Sequence, residues 1–173
     1  MDVFAKVFRI GAFIAVFAAP VWAHPSADNV WDIDSIAPMP AAPTGAQIAA
    51  LEVYAVVVHQ MDAWNAHDIE AYLSTFERSP ELVAVEDGAA TIGWNEFHDR
   101  KTRAFHDPSV MGRADISRIR IKMTGPDTAF VLSHYTVSFG QSKHVVVGVD
   151  SSDMRRINGI WHIIYAHTSS VEM

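Results

Sequence analysis

Between Met61 and Phe76 the sequence runs MDAWNAHDIEAYLSTF, and few backbone paths satisfy it. Met61 and Trp64 close one apolar helical spacing, and Ile69, Tyr72, Leu73 and Phe76 open another. Asn65-Ala66-His67 breaks the chain between them. Asp68 then stands where a carboxylate accepts from the free N–H groups of a new helix and favours its positive end. Two helices joined by so short a break each turn one side toward a common surface. The strands that dominate the rest of the chain supply it.

Lys6 and Arg9 precede an apolar run from Ile10 to Pro20, too short to span a bilayer comfortably. Val21-Trp22-Ala23 then puts small side chains three and one residues before a cut. Residues 1–23 are therefore expected to be a secretory signal, with an uncleaved anchor as the alternative. Pro25, Pro38, Pro40 and Pro43 make residues 24–44 a Pro-rich flexible tether, on which Trp31 and Ile33 are able to lie down on the domain. Residues 45–173 are expected to form one domain.

Removing those 23 residues from 173 leaves 150, with 11 basic and 19 acidic side chains and a formal net charge of −8. An acidic domain without a basic cluster is a poor match for nucleic acid or an anionic membrane surface, so neither partner is expected after signal cleavage. The chain has no cysteine, which excludes a disulfide, a thiol nucleophile and a thiolate metal site. Export, to a periplasm or beyond the cell, would leave only methionines to oxidise.

The first helix is predicted from Thr44 or Gly45 to about Asn65, with Leu51, Tyr54, Val58 and Met61 in its stripe. The second ends before Ser79-Pro80. Strands over Glu81–Glu86 and Ala89–Ile92 flank a turn at Glu86-Asp87-Gly88, and a third helix covers Gly93 to His106. Trp94, Phe97, Lys101 and Phe105 lie on its related faces. Strands over Ile116–Met123, Thr128–Phe139, His144–Ile157 and Ile160–Ser169 complete the chain. Asn158-Gly159, two residues that tolerate positive φ, is the strongest hairpin signal. Helices first and hairpin-linked strands after predict an α+β fold, with about three N-terminal helices wrapped by a curved, antiparallel, cone-shaped sheet.

These residues resemble the nuclear transport factor 2-like superfamily, and in particular its SnoaL-like and ketosteroid-isomerase-like bacterial branch. The resemblance spans about residues 45–170. It rests on Asp62 through Asp68, Phe76, Glu86-Asp87-Gly88 with Ile92-Gly93-Trp94, Asn158 through Ile164, and His167 through Ser170. It implies a fold and a pocket, while the reactions of the superfamily are scattered. In ketosteroid isomerases a helix Tyr and a strand Asp hold an oxyanion and another Asp moves the proton. Aligned on the helix break, the Tyr position falls near Gln60, the oxyanion Asp at Asp150, and the base near Glu86 or Asp87. An amide at position 60 lacks the acidity of a phenol, which argues against steroid isomerisation.

Hairpin register supplies a second, independent set. A two-residue loop at Asn158-Gly159 puts Asp150 opposite His167. A loop at Gly140 to Ser142 puts Leu132 opposite Asp150 and makes His134 its diagonal neighbour. A carboxylate beside an imidazole orients the ring and raises its pKa, which general acid–base work requires; a satisfied polar pair in a sheet is the plainer alternative. The same trio is also compatible with a metal triad, although no helical His pairing supports it and no metal is expected. A slip of one residue moves all three to the other face. Gln60 and Trp64 share a helix face and can reach one pocket, joined by Tyr72, with core packing the alternative for both aromatic rings.

The catalytic candidates are thus Asp150, His167 and His134, and the ligand-binding candidates Gln60, Trp64, Tyr72 and Asp87. No phosphate-cradling glycine loop or dinucleotide fingerprint is present, so no cofactor is expected. The expected activity is binding of a small, largely apolar molecule, with cofactor-free isomerisation, cyclisation or dehydration if the protein is an enzyme. A homodimer is expected, and a non-catalytic binding or dimeric assembly module is the alternative function. Val131, Tyr135, Val137 and Phe139, with Val145, Val147 and Val149, form an apolar stripe that is either the dimer interface or the helix-packed core.

Overall fold

The computed structural model describes residues 30–32, 43–107, 110–140 and 144–173. The expected signal and most of the expected tether lie outside the described residues. Among the described residues no helix is long and apolar enough to cross a membrane.

Helix α1, Gly45–Asn65, starts at a capping box. The Thr44 side chain accepts from the Gln47 N–H at 3.2 Å, and the Gln47 side chain accepts from the Thr44 N–H at 2.7 Å. Its buried residues are Ala49, Ala50, Val53, Val57 and Ala63, while Leu51, Tyr54, Val58 and Met61 are only half-buried. The expected stripe is therefore displaced by one position. Residues 53–58 are almost uniformly apolar, so periodicity fixes the helix without fixing its face. Small Ala and Val side chains let its backbone approach the sheet.

His67 takes φ 58° at the break, and Asp68 caps α2, Ile69–Leu73, by accepting from Ala71 N–H at 2.9 Å. Helix α2 is shorter than its apolar spacing suggests because the chain is drawn into the sheet. The Ile163 N–H donates to the Thr75 carbonyl, and the Glu77 N–H to the Ile163 carbonyl, both at 2.9 Å. Strands β2, Val83–Glu86, and β3, Ala89–Ile92, join through Asp87 and Gly88 at φ 49° and 87°, as a two-residue primed turn requires. Helix α3 covers Trp94–Ala104.

The remaining strands are β4, Arg113–Gly125; β5, Thr128–Ser138; β6, Val145–Ile157; and β7, Ile160–Glu172. Asn158 and Gly159 take φ 52° and 84°, the expected hairpin turn. With β1, Val30–Asp32, at one edge, the seven-stranded sheet has the order β1-β4-β5-β6-β7-β2-β3 and is not closed. Its pairs are antiparallel except β2–β7, which is parallel and makes the sheet mixed. Strand β1, Val30–Asp32, adds an edge within the expected tether: Trp31 pairs with Ile121 and is 2% exposed. The helices cover one face, and the core between the layers is centred on Val53, Leu73, Ile121 and Met154.

Candidate functional site

Register decides which side chains meet. From the turn, β6 and β7 pair as expected through Met154 opposite Ile163, and then Asp153 faces Tyr165. Ile164 is thus an extra residue, a β-bulge that shifts everything beyond it by one. Asp150 consequently faces Thr168, and His167 pairs with Ser151. Strands β5 and β6 also differ by one from the expected register, with Ser133 opposite Asp150 and His134 opposite Val149. The expected meeting of Asp150 with His167 and His134 does not occur. Both histidines lie on the sheet face turned away from the helices, and neither lines the cavity described next.

The same shifts divide the expected apolar stripe. Val131, Tyr135, Val137 and Phe139 face the helices, together with Val146, Gly148, Asp150 and Ser152 of β6. Val145, Val147 and Val149 face the other way. Asp150 therefore points inward although the two imidazoles do not. Among the described residues no group of three or more His, Asp or Glu is placed to hold a metal ion.

Between helices and sheet lies a cavity of about 290 Å³. Trp64 comes from α1, Tyr72 from α2, Phe97 and Lys101 from α3, Tyr135 from β5 and Asp150 from β6. Gln60 and Asp87 also lie in its wall. Trp64 packs edge-on against Tyr72 and Phe105, with ring centroids 5.6 Å and 4.9 Å apart. The wall is thus mainly apolar with a few convergent polar groups, the usual character of a small-molecule site.

Those polar groups are tightly held. Gln60 Nε2 donates to Thr75 Oγ1 at 2.9 Å. The Glu86 carboxylate accepts from both Arg100 and Lys101. Lys101 is buried, with Nζ 5.6 Å from the Phe97 ring centre and 5.3 Å from that of Phe105. Asp150 Oδ1 accepts from Thr168 Oγ1 at 2.7 Å. Burial pushes the Asp150 carboxyl above the usual carboxylate range; the Thr168 hydrogen bond and the Lys101 charge oppose this, and Glu86 adds to it. Burial, reinforced by Asp150 and Glu86, pushes the Tyr72 phenol far above its ordinary value. Tyr72 thus remains a proton donor, and Asp150 holds its proton more firmly than a solvated carboxyl. Such a pair can donate to a substrate oxygen or move a proton within an apolar space.

Lys101, Thr168 and Tyr135 line this cavity without having been candidates, and Ser170 bonds to Asp87 in its wall. Lys101 carried a signal: with Phe97 and Phe105 it forms an i, i+4 row, so a cation lies on the apolar face of its helix. Thr168 and Ser170 were hidden by the bulge, which carries no Gly or Pro to announce it.

The elements together define a class, an α+β protein whose open sheet and helices enclose an aromatic-walled cavity with a half-buried carboxyl. No protein-family model matches the chain, and no curated protein does. Solved structures do. A nuclear transport factor 2-like protein of unknown function from Shewanella oneidensis MR-1 superimposes with a TM-score of 0.65 at 22% identity, over 70% of this chain and 98% of that one. A cystatin-like fold protein from Burkholderia xenovorans gives 0.59 at 23% identity, over 71% and 92%. A protein from Novosphingobium aromaticivorans, provisionally named a scytalone dehydratase, gives 0.63 at 9% identity, over 73% and 87%. The fold is nuclear transport factor 2-like.

Proposed function

We propose that the protein binds a small, largely apolar molecule in this cavity and catalyses cofactor-free proton transfer on it, as an isomerase, cyclase or dehydratase. The observation that carries the reading is Asp150, a carboxyl in the wall of an aromatic-lined cavity that Tyr72 also lines; burial pushes both groups above their ordinary pKa values. Asp150 moves the proton or donates to a developing oxyanion, Tyr72 supplies a second donor, and Lys101 sets the charge around them. Gln60 holds a substrate oxygen through what its amide has left after bonding Thr75. The histidine roles drawn from the sequence are replaced, because a group on the outer sheet face does not reach this cavity. The provisional name of the Novosphingobium protein agrees with a dehydratase, one of the three reactions.

The test is native mass spectrometry of the purified protein for a retained small molecule, followed by exchange of carbon-bound hydrogen in heavy water with that molecule. Wild type should catalyse exchange, and Asp150→Asn should lower the rate at least a hundredfold, within the usual range for a general acid or base. Equal rates in both proteins remove Asp150 from the chemistry.

A second reading is favoured by Val145, Val147 and Val149, which line up on the sheet face away from the helices. That row suits a homodimer in which the protein binds or assembles without catalysis. A concentration-independent monomer in sedimentation equilibrium rules the dimer out. For localisation, the basic and apolar start of the chain supports export.

A further inference from the structure

We propose that Tyr135, Ser170 and Asp87 form a hydrogen-bonded row that fixes the Tyr135 oxygen as an acceptor, so that the cavity selects apolar molecules carrying a hydroxyl donor. The inference rests on the cavity binding a small molecule, and it names the class.

The row is built by register. Tyr135 of β5, Gly148 of β6 and Ser170 of β7 are direct neighbours across three strands. Gly148 is the gap that lets the row close. A Cβ there would lie 2.5 Å from Cζ and Oη of Tyr135 and 2.4 Å from the Ser169 carbonyl oxygen. With no side chain in the way, the Tyr135 ring lies over β6 and carries its hydroxyl toward Ser170, the residue paired with Gly148 on the far side. Beyond Ser170 comes Asp87 at the tip of the β2–β3 hairpin. Its Oδ1 accepts from the Ser170 N–H at 2.7 Å, and its two oxygens lie 3.0 Å and 2.9 Å from Ser170 Oγ. Asp87 is held from behind as well, its own N–H donating to the Thr168 carbonyl at 3.0 Å.

Proton counting then sets the direction. A serine hydroxyl has one proton, and a carboxylate only accepts. Ser170 spends its proton on Asp87, the charge-assisted and stronger bond. Toward Tyr135 it therefore presents lone pairs, and Tyr135 donates to it. The phenol proton is committed to Ser170, and the oxygen of Tyr135, a residue of the cavity wall, offers an acceptor. A ligand hydroxyl satisfies that acceptor. An ether oxygen in the same place sets lone pair against lone pair and is rejected.

The test compares para-tert-butylphenol with its methyl ether by isothermal titration against the full protein. Wild type is expected to prefer the phenol about tenfold, the scale of one buried hydrogen bond. Ser170→Ala, which keeps the backbone N–H to Asp87, should reduce the preference to about twofold, since the phenol proton of Tyr135 is then free to turn inward. Tyr135→Phe, which keeps the ring, should do the same. Equal affinity of wild type for the two probes overturns the proposal, as does a preference that survives in either variant. Binding of neither probe overturns the cavity-binding reading and this proposal with it.

Discussion

At the scale of single residues, Asp150 shows how a site group opposes stability. The folded chain holds its proton more tightly than the unfolded chain does, because burial penalises the charge. Its favourable contribution is therefore complete below the unfolded carboxyl value of about 3.9 and is lost as pH rises through the folded value. Asparagine keeps the shape and still offers Thr168 an oxygen, but it never ionises. Asp150→Asn is expected to raise stability near neutral pH by about 1 kcal/mol, or about 2–4 °C in Tm, while activity falls. The gain should shrink to nothing as the pH is lowered below the unfolded carboxyl value. Thermal melts across that range check the sign: a variant that melts with or below wild type at neutral pH would show that the carboxylate carries no burial penalty.

At the scale of elements, turns were legible in the sequence and bulges were not. Asn158-Gly159 identified its hairpin because the conformation demands residues that accept positive φ, and pairing was right for the four pairs nearest the turn. Ile164 then displaced the rest, and nothing in Ile163-Ile164-Tyr165 distinguishes a bulge from continuous strand. Asn65 is a second case. Its amide donates to the Ala114 carbonyl and accepts from the Ala114 N–H, both at 2.8 Å, so one side chain ties the end of α1 to the start of β4. In sequence it reads only as part of a helix break. Asn65→Ala leaves both backbone groups of Ala114 without that partner in a half-buried setting and should cost about 1–3 kcal/mol. Urea midpoints give the cost, and faster hydrogen exchange at the Ala114 amide locates it. Unchanged exchange there would mean that water replaces the amide without loss.

For the whole molecule, the layer order was readable because each helix and strand shows its own period, whereas the cavity depends on long-range register. Gln60, Trp64, Tyr72, Asp87 and Asp150 all reached its wall, since helix faces and the resemblance placed them without the register; His134 and His167, placed by register alone, did not. The domain edge depends on long-range contact too. Trp31 sits among prolines that argue for a tether, yet β1 closes the β4 edge and buries its indole against the core. A chain of residues 45–173 lacks that strand and leaves β4 as an open edge beside an unfilled space. It should be less stable than residues 24–173 by about 3–5 kcal/mol, the range for truncating a buried Trp, and more prone to associate through the bare strand. Trp31→Ala in the longer chain should reproduce the loss of stability while keeping the edge paired. Urea denaturation of the three proteins separates the two contributions, and equal midpoints for all three would show that the fold is complete without β1.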